Sequence, residues 1–409
     1  MPTTDNIDID NEAEVQQAIA AGEELIQAIL SRDPLEIIKQ RVTYGAPLWY
    51  QDDEGTSALH AAAYVSNAPL VQFLIEQGAI WNAVDNLHNS AGDIALSLND
   101  GISYLLIRDA GIRSELLLTL LASKPAPTSP LSLVLKATDN TAFADQDAFL
   151  SSRLRFTKDK YGQDICLLQL DDDQGHSAGK GAQVGVMMGW ERGIMKETVH
   201  KLCTDHPNLS GGLTILNIGF GLGIIDTFFQ SISTPPATHL IIEPHPDVLA
   251  HMRATGWFAR TGVHILEGRW QDFIGPEAPK NGQLLELVPM GFDVVYTDTF
   301  SEEYKDLKEF FDHLPDLLSG PEARFSFFNG LGATNALFYD VYTHVSELHL
   351  ADAGLDVTWS DVDVFPSLAP HASISDRHGE GKDDERWGAT KEYFGVRTYR
   401  MAIAQMQTI

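Results

Sequence analysis

This 409-residue chain is poor in cysteine, poor in basic side chains and without a long hydrophobic run. Its two cysteines, Cys166 and Cys203, are too few for a disulfide framework or a zinc cluster, and no metal centre is expected. They point to a reducing, intracellular setting. No stretch of about 18 consecutive apolar residues occurs, so no membrane-spanning helix is expected. The acidic, polar opening MPTTDNIDID lacks the basic and apolar parts of a secretory signal. Lys and Arg total 28 against 57 Asp and Glu, a net charge of -29. Such a surface repels phosphate backbones, which argues against direct nucleic-acid binding and favours a basic protein partner. A phosphate loop is also missing: GHSAGKGA (175–182) has neither the spacing nor the Lys-Ser/Thr ending, and reads as a hairpin turn.

The length allows two domains with substantial cores, and their characters differ. Gly45, Gly78 and Gly111 recur at 33-residue spacing, and SALHAAA (57–63) lies near a T-P-L-H-x-A repeat signature. Residues 1–122 therefore resemble an α-helical ankyrin-repeat domain, a solenoid with one exposed concave face. The second unit lacks the Leu–His step, having Asp93–Ile94, so the array is degenerate, and Leu116 to Ala122 continues or caps it. SKPAPTSP (123–130), with three prolines and no periodicity, reads as a linker. Residues 131–409 form the second domain.

Within that domain, Leu213 to Ile218 is a short apolar run followed by alternating glycines and a helical stretch, Ile224 to Ile232. The turn comprises Gly219, Phe220, Gly221, Leu222, Gly223 and Ile224, and its glycines let the backbone approach a ligand closely. HLIIE (239–243) is the next strand. Glu243 at its end, followed by Pro244 and His245, is spaced to accept hydrogen bonds from a ribose. The glycine pattern alone fits NAD as well as S-adenosylmethionine. VHILEGRWQDF (263–273) gives a third strand and a turn with Trp270 and Gln271, suited to an adenine ring, and FDVVYTD (292–298) a fourth strand ending in Asp298. Ser301 to Leu318 is amphipathic, ARFSFFNG (323–330) is a fifth strand, and LDVTWSDVDVF (355–365) with FGVRTYRMAIAQM (394–406) reads as an antiparallel edge. The polar RHGEGKDDERWG (377–388) reads as a surface loop. Together these predict a doubly wound α/β, Rossmann-like sheet with its ligand at the carboxyl edge.

Met187, Trp190–Glu191 and Met195 precede the glycine turn, and Asp298 stands in YTDTF. On these motifs the block from about Phe149 to Ile409 resembles the guanidino-group methyltransferases, among them guanidinoacetate methyltransferase and, closer still, the fungal protein arginine N-methyltransferase 2 family. The likeness to the fungal family extends over the repeats. It implies S-adenosylmethionine as cofactor, held by Phe156, Met187, Met195, the glycine turn, Glu243, Pro244, His245, Trp270, Gln271 and Asp298. It assigns catalysis to Glu191 and Asp298, and implies residence in cytoplasm and nucleus; a monomer is expected. The acceptor it implies is the δ-nitrogen of an arginine in a large-subunit ribosomal protein of the L12 type.

Two carboxylates suit that chemistry. A guanidinium stays protonated below pH ~12 and its lone pairs are delocalised, so it is a poor nucleophile unaided. Carboxylates that grip its N–H fork concentrate charge on some nitrogens and accept a proton as the new bond forms. Read from the residues alone, Glu191 fits equally a solvated helix position facing Arg192 or Lys196, Asp298 a helix N-cap, and Met187, Met195 and Phe156 core packing. A small-molecule guanidino methyltransferase, a non-catalytic ankyrin scaffold and a dehydrogenase are the competing functions.

Overall fold

The computed structural model describes residues 6–122, 146–158, 162–169, 183–300, 304–364, 390–391 and 394–407. The linker 123–130, the turn 175–182 and the loop 377–388 lie outside the described residues. The chain divides into two compact units, residues 1–128 with 331–345, and residues 129–330 with 346–409.

The first unit is built of helices α1 (Asn6–Leu30), α2 (Leu35–Thr43), α3 (Ala58–Tyr64), α4 (Ala68–Glu76), α5 (Ala91–Ser97) and α6 (Gly101–Ala122). Gly45 and Gly78 follow the ends of α2 and α4 with φ of 95° and 91°, the left-handed conformation that closes a helix at low cost for glycine. Between helices lie two tight hairpins one repeat apart, pairing Gln51 with Ser57 and Val84 with Ser90. The degenerate position has a physical explanation. In the first repeat the Ser57 hydroxyl caps α3 while His60 Nδ1 accepts the Ser57 backbone N–H. In the second, Asp93 takes that place, accepting the Ser90 N–H at 2.8 Å. The residue type changed and the capping box survived.

Gly111, third in the 33-residue series, ends nothing. It lies inside α6, which runs unbroken to Ala122. Its reason is close packing: a Cβ there would meet the Trp81 ring and Val341 Cγ2, each at 2.9 Å. Residues 331–345 close this stack. Phe338 meets Trp81 edge-on at 5.7 Å, Tyr104 donates to Asp340 Oδ2 at 2.8 Å, and Tyr342 donates to Glu115 Oε2. Gly111→Val is therefore expected to destabilise the unit by about 1–3 kcal/mol through overpacking. Gly101→Ala, at a position with nothing within 4 Å, should be neutral or mildly stabilising. Thermal melts of both variants separate the two effects.

The second unit begins with α7 (Gln146–Ser151), β1 (Arg153–Lys158), β2 (Asp164–Gln169), β3 (Gln183–Met187) and α8 (Arg192–Cys203). There follow β4 (Thr214–Ile218), α9 (Ile224–Phe229), β5 (Thr238–Glu243), α10 (Pro246–Ala254), β6 (Val263–Glu267), α11 (Asn281–Leu287), β7 (Val294–Thr297), α12 (Tyr304–Leu317) and β8 (Arg324–Phe327). The chain ends with α13 (Ala336–Asp352), whose residues up to 345 belong to the first unit, β9 (Leu355–Asp363), β10 (Thr390–Lys391) and β11 (Thr398–Met406).

Seven strands form the main sheet in the order β6-β5-β4-β7-β8-β11-β9. Strands β4 to β8 are parallel, and β11 runs antiparallel to both neighbours. The two C-terminal runs thus pair antiparallel to each other at one end of the sheet, as expected. Only β11 is reversed, inserted between β8 and β9, and β9 keeps the direction of the parallel set. Alternation along the strands serves two cores: Leu216, Ile218 and Val295 face one, Ile215, Val294 and Tyr296 the other. That two-sided burial is what a parallel sheet needs. β4 pairs with β5 on one side and β7 on the other, so the chain reverses direction of winding at β4, and a crevice opens at the carboxyl ends of β4 and β7. A smaller sheet, β1-β2-β3-β10, supplies Phe156 and Met187.

Candidate active site

The glycine turn leaves β4 with φ of 87° at Gly219, 54° at Gly221 and 66° at Gly223. Gly219 is forced by proximity as well: a Cβ would lie 2.1 Å from the Asp298 carbonyl oxygen. Asp298 in turn donates its backbone N–H to Ile218 O at 2.9 Å. The carboxyl ends of β4 and β7 are therefore stitched together at the crevice. Asn217, which sequence reasoning passed over, holds the turn from beneath, donating to Gly219 O and Asp226 Oδ1, each at 2.9 Å. A polar residue within the apolar run LTILNIG was the available signal.

Glu243 reaches the turn from β5. Its carboxylate is 4 % exposed and accepts the N–H groups of Phe220 at 2.8 Å and His245 at 2.7 Å. Burial raises its carboxyl to about 7 in spite of those donations and one from Gly221. Glu243→Ala would orphan buried donors at about 1–3 kcal/mol each, so a lower Tm is expected, with Glu243→Gln milder. Met187 lies over the same turn, accepting the Leu222 N–H at its Sδ, 3.1 Å away. Phe220, Leu222 and Ile224 contribute backbone to the crevice. The Phe220 ring itself is buried against Trp257, and Ile224 packs below β4. Pro244 is half-buried.

Several residues expected at the cofactor have their side chains engaged elsewhere. Met195 is fully buried, its Sδ accepting the Tyr296 hydroxyl at 3.4 Å. His245 is 1 % exposed. It caps α10 through Nδ1 and meets the Phe149 carbonyl through Nε2. Trp270 is 3 % exposed and packs edge-on to Phe310, so it props the turn after β6 from within the core. Phe156 stacks on the His251 ring with centroids 4.2 Å apart. Apolar side chains at such turns find a core partner more readily than sequence spacing reveals. Gln271, beside Trp270, is the exception: its Oε1 is buried with no hydrogen-bond partner, an acceptor still to be satisfied.

Glu191 and Asp298 face each other's influence across the crevice. Glu191 closes a 3-10 turn (Gly189–Glu191) ahead of α8 and is 3 % exposed, so it is no solvated partner of Arg192 or Lys196. It accepts the Met188 N–H at 3.3 Å. Burial first, and then the charge of Asp298, hold its carboxyl well above the usual range. Burial likewise pushes Asp298 up to about 7, the residue as a whole being half-buried. Two carboxylates kept so close in a poorly solvated place are costly until a cation joins them. Tyr296, beneath the crevice, is raised for the same reasons, burial first and then Asp298. No group of His, Cys, Asp and Glu suited to a metal ion occurs among the described residues, and no described helix is long and apolar enough to cross a membrane.

Residues 54–86 match the ankyrin repeat family. Most of the chain also has close relatives. It is 39% identical over 396 residues to Protein arginine N-methyltransferase 2 of Cryptococcus neoformans var. neoformans, a match spanning 94% of this chain and 95% of that protein. The proteins of the same name from Aspergillus oryzae and Saccharomyces cerevisiae are 34% and 37% identical, over 82% and 70% of this chain and 77% and 68% of their own lengths. Similarity of this extent, over nearly the full length of both proteins, shows that the chain belongs to the protein arginine N-methyltransferase 2 family.

Proposed function

We propose that this protein transfers a methyl group from S-adenosylmethionine to the δ-nitrogen of an arginine in a large-subunit ribosomal protein of the L12 type, acting as a monomer in cytoplasm and nucleus. The observation that carries the reading is the pair of buried Glu191 and half-buried Asp298 at the carboxyl edge, both carboxyls raised. A planar cation with N–H groups on several edges is the ligand such a pair fits.

The residues present suit the cofactor. Three glycines let the turn pack where a Cβ would collide with Asp298, Met187 or Phe220, an acidic side chain ends β5, and Gln271 offers an unsatisfied acceptor for an exocyclic amine. Gly219 to Gly223, Met187, Glu243 and Gln271 would hold it. Bound there, it supplies an electrophilic methyl on a sulfonium. Glu191, closed from solvent, serves as a fixed anion that grips one edge of the guanidinium and draws positive charge toward it. Asp298, with residual exposure and a carboxyl near neutrality, accepts the N–H proton displaced by the new N–C bond and passes it to water. Holding nitrogen and methyl in line contributes further, up to about 7–11 kcal/mol in favourable systems.

The name of its relatives and the net charge of -29 support a basic protein as acceptor. The test is incubation of large-subunit ribosomal proteins with this enzyme and labelled S-adenosylmethionine, followed by fragmentation mass spectrometry. Label on the δ-nitrogen of arginine is expected. Label on a terminal nitrogen would overturn the δ assignment, and label only on free guanidino compounds would overturn the protein acceptor.

A further inference from the structure

β11 runs antiparallel beside β8, so its beginning arrives at the edge where β7 and β8 end. Aromatic residues gather there that the chemistry above leaves unused. Phe328 follows β8 directly, its N–H donated to Thr297 O at 3.0 Å, one residue before Asp298. Its ring stacks on Tyr399 at 5.5 Å and approaches Phe394 at 6.4 Å. Phe394 in turn meets Trp190, the residue before Glu191, at 5.5 Å. The four rings thus run from the neighbour of one catalytic carboxylate to the vicinity of the other.

Their exposures divide them. Phe394 and Tyr399 are fully buried, and the Tyr399 hydroxyl is fixed by accepting the Asn329 N–H and donating to Phe327 O. Trp190 and Phe328 keep partial exposure. The inner pair is closed from solvent and the outer pair is partly open to it. From this geometry we infer that Trp190 and Phe328 clamp the plane of the acceptor's guanidinium, with Phe394 and Tyr399 as the positioning residues behind them. The inference rests on arginine as the acceptor and names what holds its faces while Glu191 and Asp298 hold its edges. Cation–π attraction favours a guanidinium over a compact ammonium at such a site, because the planar ion stacks and is weakly hydrated. A flat clamp also fixes which nitrogens point at the carboxylates and which at the cofactor cradle, so the rings would restrict the choice of methylated atom.

The test is calorimetric titration of the full-length protein, saturated with S-adenosylhomocysteine, with an arginine-containing acceptor peptide and with its lysine counterpart. The wild type is expected to bind the arginine peptide and discriminate against lysine. Trp190→Leu should weaken arginine binding about 10-fold or more, while Trp190→Phe stays within about 3-fold of the wild type and S-adenosylhomocysteine affinity changes less than about 2-fold. Phe328→Leu and Phe328→Tyr repeat the comparison from the other side, should the tryptophan variant fold poorly. Equal losses in the leucine and aromatic variants would overturn the clamp, as would parallel loss of S-adenosylhomocysteine binding. Failure of the wild type to bind any arginine peptide would instead remove the arginine reading on which the clamp depends.

Discussion

Asp298→Asn and Glu191→Gln are each expected to lower methyl transfer by about 10²- to 10⁴-fold, the range associated with loss of a positioned acid–base group. The double variant should lose little more than either single one, since the two carboxylates grip one guanidinium and act as a unit. Stability should move the opposite way. Asp298 has its carboxyl raised by burial to about 7, so between about pH 4 and 7 the folded protein holds a proton that the unfolded chain has released. More protons bound in the folded state means that stability falls as pH rises through that window, and levels above about 7. The amide carries no such loss. Asp298→Asn should therefore melt at higher temperature than the wild type at pH 8, by the equivalent of about 1–2 kcal/mol after allowance for partial exposure, with the gap closing toward pH 4. Activity has the matching profile. The wild-type rate should climb with pH to about 7 as Asp298 ionises, and the climb should vanish in Asp298→Asn. A destabilised variant, or a wild-type rate that falls across pH 6 to 8, would contradict the role given to this carboxylate.

Gly219→Ala should be the most damaging single methyl group in the second unit. The new Cβ would sit 2.1 Å from the Asp298 carbonyl oxygen, a backbone atom already held by the β4–β7 junction, on a residue with φ of 87°. Left-handed strain alone costs about 1–3 kcal/mol, and separating the two strand ends would displace Asp298 from its place. Cofactor affinity should drop by about 100-fold or more, with a clear fall in Tm. Gly221→Ala is a milder change: its Cβ meets Met187 Cε at 2.8 Å, the tip of a flexible side chain. Gly256→Ala, with φ of 79° and open space around it, isolates the conformational cost. Titration calorimetry and melting of the three variants should rank them 219, 221, 256. Equal behaviour of Gly219→Ala and Gly256→Ala would show that crowding against Asp298 does not govern the turn.

Those expectations start from residues that the sequence already marks. The βαβ alternation, the glycine turn and the acidic ends of β5 and β7 are legible because each is written in local spacing. Strand order at the C-terminal edge is not, since whether β9 or β11 sits outermost depends on long-range pairing. Side-chain direction at the turns is the other limit. Trp270 and His245 stand next to residues that face the crevice, yet a polar cap or an aromatic partner draws each inward. The aromatic gathering of Trp190, Phe328, Phe394 and Tyr399 was illegible for a stronger reason, spanning 209 positions of sequence from end to end. The repeat series misled in one place. Gly111 keeps the 33-residue period but serves a close contact in mid-helix, and spacing cannot tell a turn from a crowded neighbour.

The closing layer of the first unit, residues 331–345, is encoded far downstream of α6. During synthesis at about 5–20 residues per second, the surface formed by Trp81, Tyr104 and Gly111 waits on the order of 10–40 s after its own helices emerge. In that interval it is a face without the cover that Phe338 and Val341 later supply. The repeats are thus made well before the segment that finishes them.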